Sequence, residues 1–232
     1  MRVHTRFTDR HGGVSRPPFA TFNLALHVGD DPDAVARNRQ SLSSRLDALP
    51  FVWMEQVHGD TVRIVKKRAP ATLAACDAIV TDCPNLVLAV MVADCIPLLL
   101  YDEKRGVVAA VHAGRNGVFL DIAGKTVAKM AETFGCDPAD IKARLGPSIH
   151  ACCYEVGPEI ARIARKNFPE AYVNGRYLDL PGMTAWQLER AGLSKKQIDR
   201  SPRCTCCDGD YFSYRREGTT GRFAGLVWQT ER

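Results

Sequence analysis

Three side chains in this sequence can bind a metal ion or attack a substrate. They are His58 in Gln56-Val57-His58, Cys95 in Ala93-Asp94-Cys95-Ile96-Pro97, and His112 in Val111-His112-Ala113-Gly114. One thiolate and two imidazoles suit two chemistries: a tetrahedral zinc site with its fourth position open, or a thiol nucleophile with an imidazole as its base. Both point to an enzyme. The spacing fits no local zinc pattern such as CxxC or HExxH, so a shared site would have to be assembled by the fold. Each residue also has a plainer reading. A free Cys is most often a small buried hydrophobe, a His at a strand end is commonly a hydrogen-bonded structural residue, and His58 lies in a turn-like context. His4, His11, His27 and His150 show no local ligand pairing. Pro97 removes a backbone donor and restricts Ile96, which predicts a kink beside Cys95. Gly114 permits either close backbone approach or a positive φ.

The elements that must hold these residues follow from apolar patterning. Short β-branched or continuously apolar runs at 62–65, 78–81, 86–92, 98–101 and 107–112 read as strands covered on both faces. Cys95 and His112 sit where such runs end, beside loops. Residues 12–18 are loop-like from their Gly and Pro content. Asp31 is a candidate N-cap, with Pro32 opening a helix to about Leu46. Ile122, Val127, Met130 and Phe134 repeat at helical spacing and predict a helix over 118–134, stopped by Gly135. A strand at 141–145, helices at 158–167 and 184–191, and a closing strand at 226–229 complete the reading. The class is α/β (or α+β), a mixed β-sheet with flanking helices in a single domain over residues 1–232, without the regular βαβ order of a Rossmann fold.

Composition narrows the function. The 232 residues are 46% hydrophobic and 25% charged, enough for a sizeable core. The formal charge of +5 fits an anion site such as phosphate, and equally an enzyme of neutral ligands. Basic residues are dispersed. Lys66-Lys67-Arg68 and Lys195-Lys196 lack the aromatic interleaving of a nucleic-acid module, so no nucleic-acid partner is expected. The apolar run at 86–100 is broken by Asp94 and Pro97 and is too short to span a membrane. The nine cysteines are odd in number and the first residues have no signal-type apolar stretch, so reduced thiols in a cytoplasmic protein are expected. Cys204-Thr205-Cys206-Cys207 lacks a second CxxC half, and adjacent Cys152-Cys153 cannot easily aim both thiols at one ion. These cysteines are expected to be structural or incidental.

A set of motifs recurs along the chain: Phe22-Asn23-Leu24, His27-Val28-Gly29-Asp30-Asp31, Asn38-Arg39, Gln56-Val57-His58-Gly59, Asp77-Ala78-Ile79-Val80-Thr81, Ala93-Asp94-Cys95-Ile96-Pro97, His112-Ala113-Gly114, Gly146-Pro147-Ser148-Ile149, Cys153-Tyr154-Glu155-Val156-Gly157, Phe212-Ser213-Tyr214-Arg215-Arg216 and Gly221-Arg222. In this order, over residues 11–229, the chain resembles the laccase-domain, YfiH-like family. That family was once described as multicopper polyphenol oxidoreductases. Its members are now described as purine nucleoside phosphorylases with adenosine deaminase and methylthioadenosine phosphorylase activity. The resemblance implies a layered α/β sandwich, purine nucleosides and phosphate as substrates, and His58, Cys95 and His112 as zinc ligands and catalytic centre.

Under that resemblance Arg39, Arg115, Arg215 and Arg222 are candidates for holding phosphate, and Asn23 for a polar substrate contact. Asp94 would orient a ligand from behind or cap its strand. The family commonly has Trp-Arg where this chain has Arg115-Asn116, and Cys206-Cys207-Asp208 is also atypical. Two enzymatic alternatives stay open. One is a metal-free amide hydrolase with Cys95 as nucleophile, His112 as base and His58 as orienter. The other is a copper-dependent polyphenol oxidase. His₂Cys could hold one copper, but six histidines without a His-x-His pair do not supply a multicopper centre. A non-enzymatic binding module is a third class. The oligomeric expectation is a monomer or weak dimer.

Overall fold

The computed structural model describes residues 1–67 and 69–231; Arg68, the third member of one basic cluster, lies outside the described residues. In chain order the strands and helices are β1 (Arg2–Phe7), α1 (Pro32–Ser44), β2 (Phe51–Met54), β3 (Val62–Ile64), β4 (Thr72–Leu73), β5 (Ala78–Thr81), β6 (Val87–Val92), β7 (Ile96–Asp102) and β8 (Val107–Ala113). There follow α2 (Arg115–Phe119), α3 (Ile122–Phe134), β9 (Lys142–Leu145), α4 (Pro158–Asn167), β10 (Val173–Asn174), β11 (Tyr177–Leu178), α5 (Leu180–Arg190), β12 (Ile198–Arg200), α6 (Tyr214–Glu217) and β13 (Phe223–Thr230).

Two mixed sheets form, where one was expected. The first has the order β1-β13-β6-β2-β4, the second β12-β9-β7-β8-β5-β3, and β10 and β11 make a separate small hairpin. Strand alternation dictates how they stack. Along β8, Val107, Ala109, Val111 and Ala113 join one core with Ile122, Val127 and Met130 of α3 and Met183 and Leu188 of α5. Val108 and Ala110 point the other way, into a core shared with Leu88 and Val90 of β6. The opposite face of β6 (Val87, Ala89 and Met91) packs with Leu42 of α1. The layers are therefore helices, sheet, sheet, helix. Both sheets are covered on both faces, which is why their strands read as uninterrupted apolar runs.

Local chemistry sets the boundaries. The Asp31 side chain caps α1 by accepting from the Asp33 amide at 3.0 Å, with Pro32 at the first helical position as expected. The helix expected over 118–134 is divided into α2 and α3. Asp121 stands between them at φ 60° and caps α3 through the Gly124 amide at 3.2 Å. Pro97 is the second residue of β7 and does not kink it. Its cross-strand neighbour His112 sends its amide away from β7, to the Asp77 carbonyl at 2.7 Å, so β8 asks no donor of Pro97. The bend comes earlier, at Asp94, whose φ is 94°. The strands β1 and β2 lack a strong local signal and were not expected.

Candidate active site

The site lies where the chain changes sheets. Strand β6 belongs to the first sheet and β7 to the second, and Asp94-Cys95 forms the corner between them. Strands β2 and β3 are likewise in different sheets, with His58 in the connecting corner at φ 59°. Left-handed backbone at two non-glycine residues is uncommon, and both places present a chemically active side chain to the same space. His112, near the end of β8, supplies the third group.

Asp77, immediately before β5, organises this space. It is fully buried. Its Oδ1 accepts from the His58 amide at 3.0 Å and from His112 Nδ1 at 2.7 Å. Its Oδ2 accepts from the amides of Gly59 at 2.7 Å and Val57 at 3.3 Å. Three successive amides therefore wrap one carboxylate. Burial opposes its ionisation, but the bonds from His112, Gly59 and His58 outweigh it and hold the pKa below the ordinary value. Because Nδ1 of His112 is engaged by Asp77, Nε2 is the nitrogen turned toward Cys95.

The ligand atoms of His58, Cys95 and His112 all lie within 4.8 Å of one another. The two imidazole rings are 4.7 Å apart and nearly perpendicular, at 80°. Burial pushes the Cys95 thiol up, but the charge and hydrogen bond of His112 and a bond from His58 overcome this and bring its pKa down to about 6. Burial lowers His112, and the Cys95 charge with the Asp77 bond overcomes this and raises it to about 9. Gly114 makes the crowding possible. A Cβ there would stand 3.0 Å from Cys95 Sγ and 3.2 Å from His58 Cδ2. Its φ of −75° shows that close approach, not a left-handed conformation, is what glycine provides.

The donor set fits a zinc ion. One thiolate and two imidazoles are suitable ligands, and an Asp–His–metal relay is the usual way to fix a ligating imidazole. The orienting carboxylate is Asp77, a residue without a distinctive local signal beyond its place before a buried strand. Asp94 has another task. Its Oδ1 accepts from Thr205 Oγ1 at 2.7 Å and its Oδ2 from the Arg215 amide at 2.7 Å, which ties two distant loops to the Cys95 corner.

A cavity of about 490 Å³ opens onto the trio, and its wall includes Arg115, Arg215, Arg222, Tyr154, Tyr214 and His27. A larger hollow of about 1040 Å³ lies on the β1 and β13 side and gathers no comparable reactive cluster. Arg215 donates to the Cys153 carbonyl at 3.0 Å and stacks 5.2 Å from the Tyr154 ring centre. The Arg115 guanidinium bonds Asn116 Oδ1 at 3.2 Å. Asn23 and Arg39 do not line the cavity. Asn23 is buried, bonding Ala25 and Asp30 and accepting from the Arg222 amide at 2.9 Å, so it positions Arg222. Arg39 donates to the Leu24 carbonyl at 2.8 Å and lies 4.3 Å over the Trp53 ring. His27, Tyr154 and Tyr214, which the sequence offers only as members of motifs and with no substrate role, also enter the wall, each from a separate loop or helix start.

Two stacked mixed sheets between helices, with a His₂Cys trio gathered beside the sheet-to-sheet corners, define an α/β protein with a metal-competent cavity. The chain belongs to the multi-copper polyphenol oxidoreductase laccase family, whose sequence profile matches residues 4–230. A relative named purine nucleoside phosphorylase from Corynebacterium glutamicum is 47% identical over 238 residues, covering 97% of this chain and 94% of that protein. Another of that name from Mycobacterium tuberculosis is 43% identical over 235 residues, covering 98% and 92%. The crystal structure of the Bacillus licheniformis hypothetical protein YfiH matches with a TM-score of 0.93 at 35% identity, covering 98% of this chain and 92% of that one. YlmD from Geobacillus stearothermophilus matches with a TM-score of 0.93 at 33% identity, covering 99% and 92%. Among the described residues, no helix is long and apolar enough to cross a membrane.

Proposed function

We propose that this protein is a purine nucleoside phosphorylase acting on adenosine, inosine, guanosine or methylthioadenosine, and that the same site deaminates adenosine. One juxtaposition carries the reading: His58, Cys95 and His112 share a cavity with Arg115, Arg215 and Arg222, in a chain whose relatives bear the phosphorylase name over nearly their full length. The volume, about 490 Å³, suits a nucleoside with phosphate.

In phosphorolysis a phosphate oxygen bonds to the anomeric carbon as the bond from that carbon to purine N9 breaks. The electron pair leaves with the purine, which then takes up a proton. The guanidinium groups hold the phosphate by charge-assisted bonds and oppose its repulsion by the departing base. The Tyr154 ring, braced by Arg215, offers a flat surface to the purine. His58, Cys95 and His112 would hold a zinc ion, with copper the alternative that a His₂Cys set also admits. When bound, the ion supplies Lewis acidity and lowers the pKa of a water for deamination. Asp77 keeps the His112 ring turned toward that position.

The test is product separation after incubating each nucleoside with and without phosphate, for the wild type and Cys95→Ala. Phosphate-dependent release of free base and ribose 1-phosphate, lost in the variant, is expected. No base release from any of the four nucleosides refutes the reading. A second reading rests on the continuous Cys95–His112–Asp77 arrangement, in which a metal-free thiolate attacks an amide. Metal-stripped protein that gains amide hydrolase activity supports it over the first.

A further inference from the structure

Five of the nine cysteines lie outside the three apolar cores and outside the cavity, and four of them meet. The Sγ atoms of Cys152, Cys153, Cys204 and Cys207 all lie within 4.8 Å of one another. Adjacent Cys152 and Cys153, which are not expected to aim both thiols easily at one ion, thus face one shared cluster. They stand in a tight turn closed by the amides of Cys153 and Tyr154 on the His150 carbonyl, at 3.0 and 2.9 Å. The missing second half of the motif comes from across the molecule. Cys204 and Cys207 form a C-x-x-C turn in which the Cys207 amide bonds the Cys204 carbonyl at 3.1 Å. The Thr205 amide binds the Ser148 carbonyl at 2.9 Å and docks the two segments together.

We propose that these four residues bind a second, structural zinc ion as a closed tetrathiolate. A tetrahedral ZnS₄ unit with Zn–S near 2.3 Å has sulfurs about 3.8 Å apart. Here Cys152 and Cys207 are 3.7 Å apart, and Cys153 and Cys207 are 3.3 Å apart. Cys204 Sγ accepts the His150 amide at 3.4 Å, and a backbone donor aimed at a sulfur stabilises negative charge there. Cys204 is buried, but none of the four belongs to the three apolar clusters, and Cys152 and Cys207 are exposed, so apolar packing does not account for the gathering of all four. A closed four-sulfur set selects a structural ion, whereas the three-ligand set at Cys95 keeps a position open.

The ion would clamp the back of the cavity wall. One cysteine segment leads into Tyr154, and its Cys153 carbonyl receives Arg215. The other carries Thr205, which holds Asp94 beside Cys95, and its carbonyls at Thr205 and Cys206 receive Arg216 at 2.6 and 3.1 Å. Zinc at the four sulfurs fixes these loops relative to each other.

The test is zinc content of the full-length protein purified under reducing conditions, for the wild type, Cys95→Ser, Cys207→Ser and the double variant. Two ions per chain are expected in the wild type, one in each single variant and none in the double. Cobalt-loaded Cys95→Ser should show the visible spectrum of a tetrahedral tetrathiolate, a signature the His₂Cys site cannot give. Cys207 is exposed, so its substitution should leave the fold intact by circular dichroism. As a check without mutation, chelation of the wild type should expose these four thiols together to a thiol reagent and lower the melting temperature. Folded Cys95→Ser without zinc overturns the inference while leaving the first site standing. So does a Cys153–Cys207 disulfide in peptides from protein alkylated at lysis. A wild type whose zinc survives in Cys95→Ser and disappears in Cys207→Ser instead sinks the first site and supports this one.

Discussion

Replacing Asp77 by Asn exchanges one carboxylate oxygen for an NH₂ group and leaves the side-chain shape unchanged. Each oxygen of Asp77 accepts two N–H groups: Oδ1 those of His58 and His112, Oδ2 those of Gly59 and Val57. Whichever way the amide turns, two donors lose their acceptor and face another donor. The carbonyl should stay toward His112, because that ring is buried and water cannot replace its partner. The NH₂ then faces Gly59 and Val57, in a loop near solvent. At about 1–3 kcal/mol per unsatisfied buried donor, with water relieving part of the loss, the destabilisation is about 2–4 kcal/mol. The metal effect is separate. A neutral amide polarises His112 less than a carboxylate does, and loss of such a partner typically weakens metal binding about 10–100-fold. Urea unfolding measures the first effect, and zinc competition against a chromophoric chelator measures the second. Asp77→Asn protein that is destabilised but binds zinc within about twofold of wild type refutes the orienting role and leaves Asp77 a support for the 57–59 loop alone.

Gly114→Ala should disturb the trio by steric contact, since its new Cβ would press on Cys95 and His58. Overpacking of this kind costs about 1–3 kcal/mol, and zinc affinity should drop more than thermal stability does; an unaltered zinc affinity contradicts the close-approach reading. In metal-free protein, Cys95 alkylation followed by peptide mass should have its midpoint near pH 6, below the ordinary thiol value of 9.0, because the thiolate persists until pH falls through its own pKa. A midpoint near the ordinary value would refute the His112 effect, and zinc should suppress the reaction at every pH. Arg215→Ala and Arg222→Ala should each raise the phosphate KM about tenfold or more, as expected for a lost charge-assisted bond, with adenosine deamination spared. A rise confined to the nucleoside KM would assign these residues to the base or sugar.

Much of the architecture was legible in local pattern. Asp31-Pro32 marks the start of α1, Gly135 the end of α3, and the runs at 87–92 and 107–113 declare strands buried on both faces. The apolar spacing over 118–134 reads as one helix because it hides a break that depends on one backbone angle, at Asp121. Strand β1 gives little local signal, because Arg2, His4 and Arg6 alternate with few strong apolar residues. Its strand state comes from pairing with β13, far away in the chain.

The sequence by itself determined the buried faces, most element types and the candidate trio at 58, 95 and 112 that the fold brings together, because side-chain chemistry and periodicity are local properties. Only the tertiary structure decided that Asp77 orients His112, that Asn23 and Arg39 stand outside the cavity, and that Cys152-Cys153 meets Cys204 and Cys207. Those outcomes depend on where the chain crosses between sheets and on strand register. Both are set by packing among residues distant in sequence, and no single segment encodes that packing.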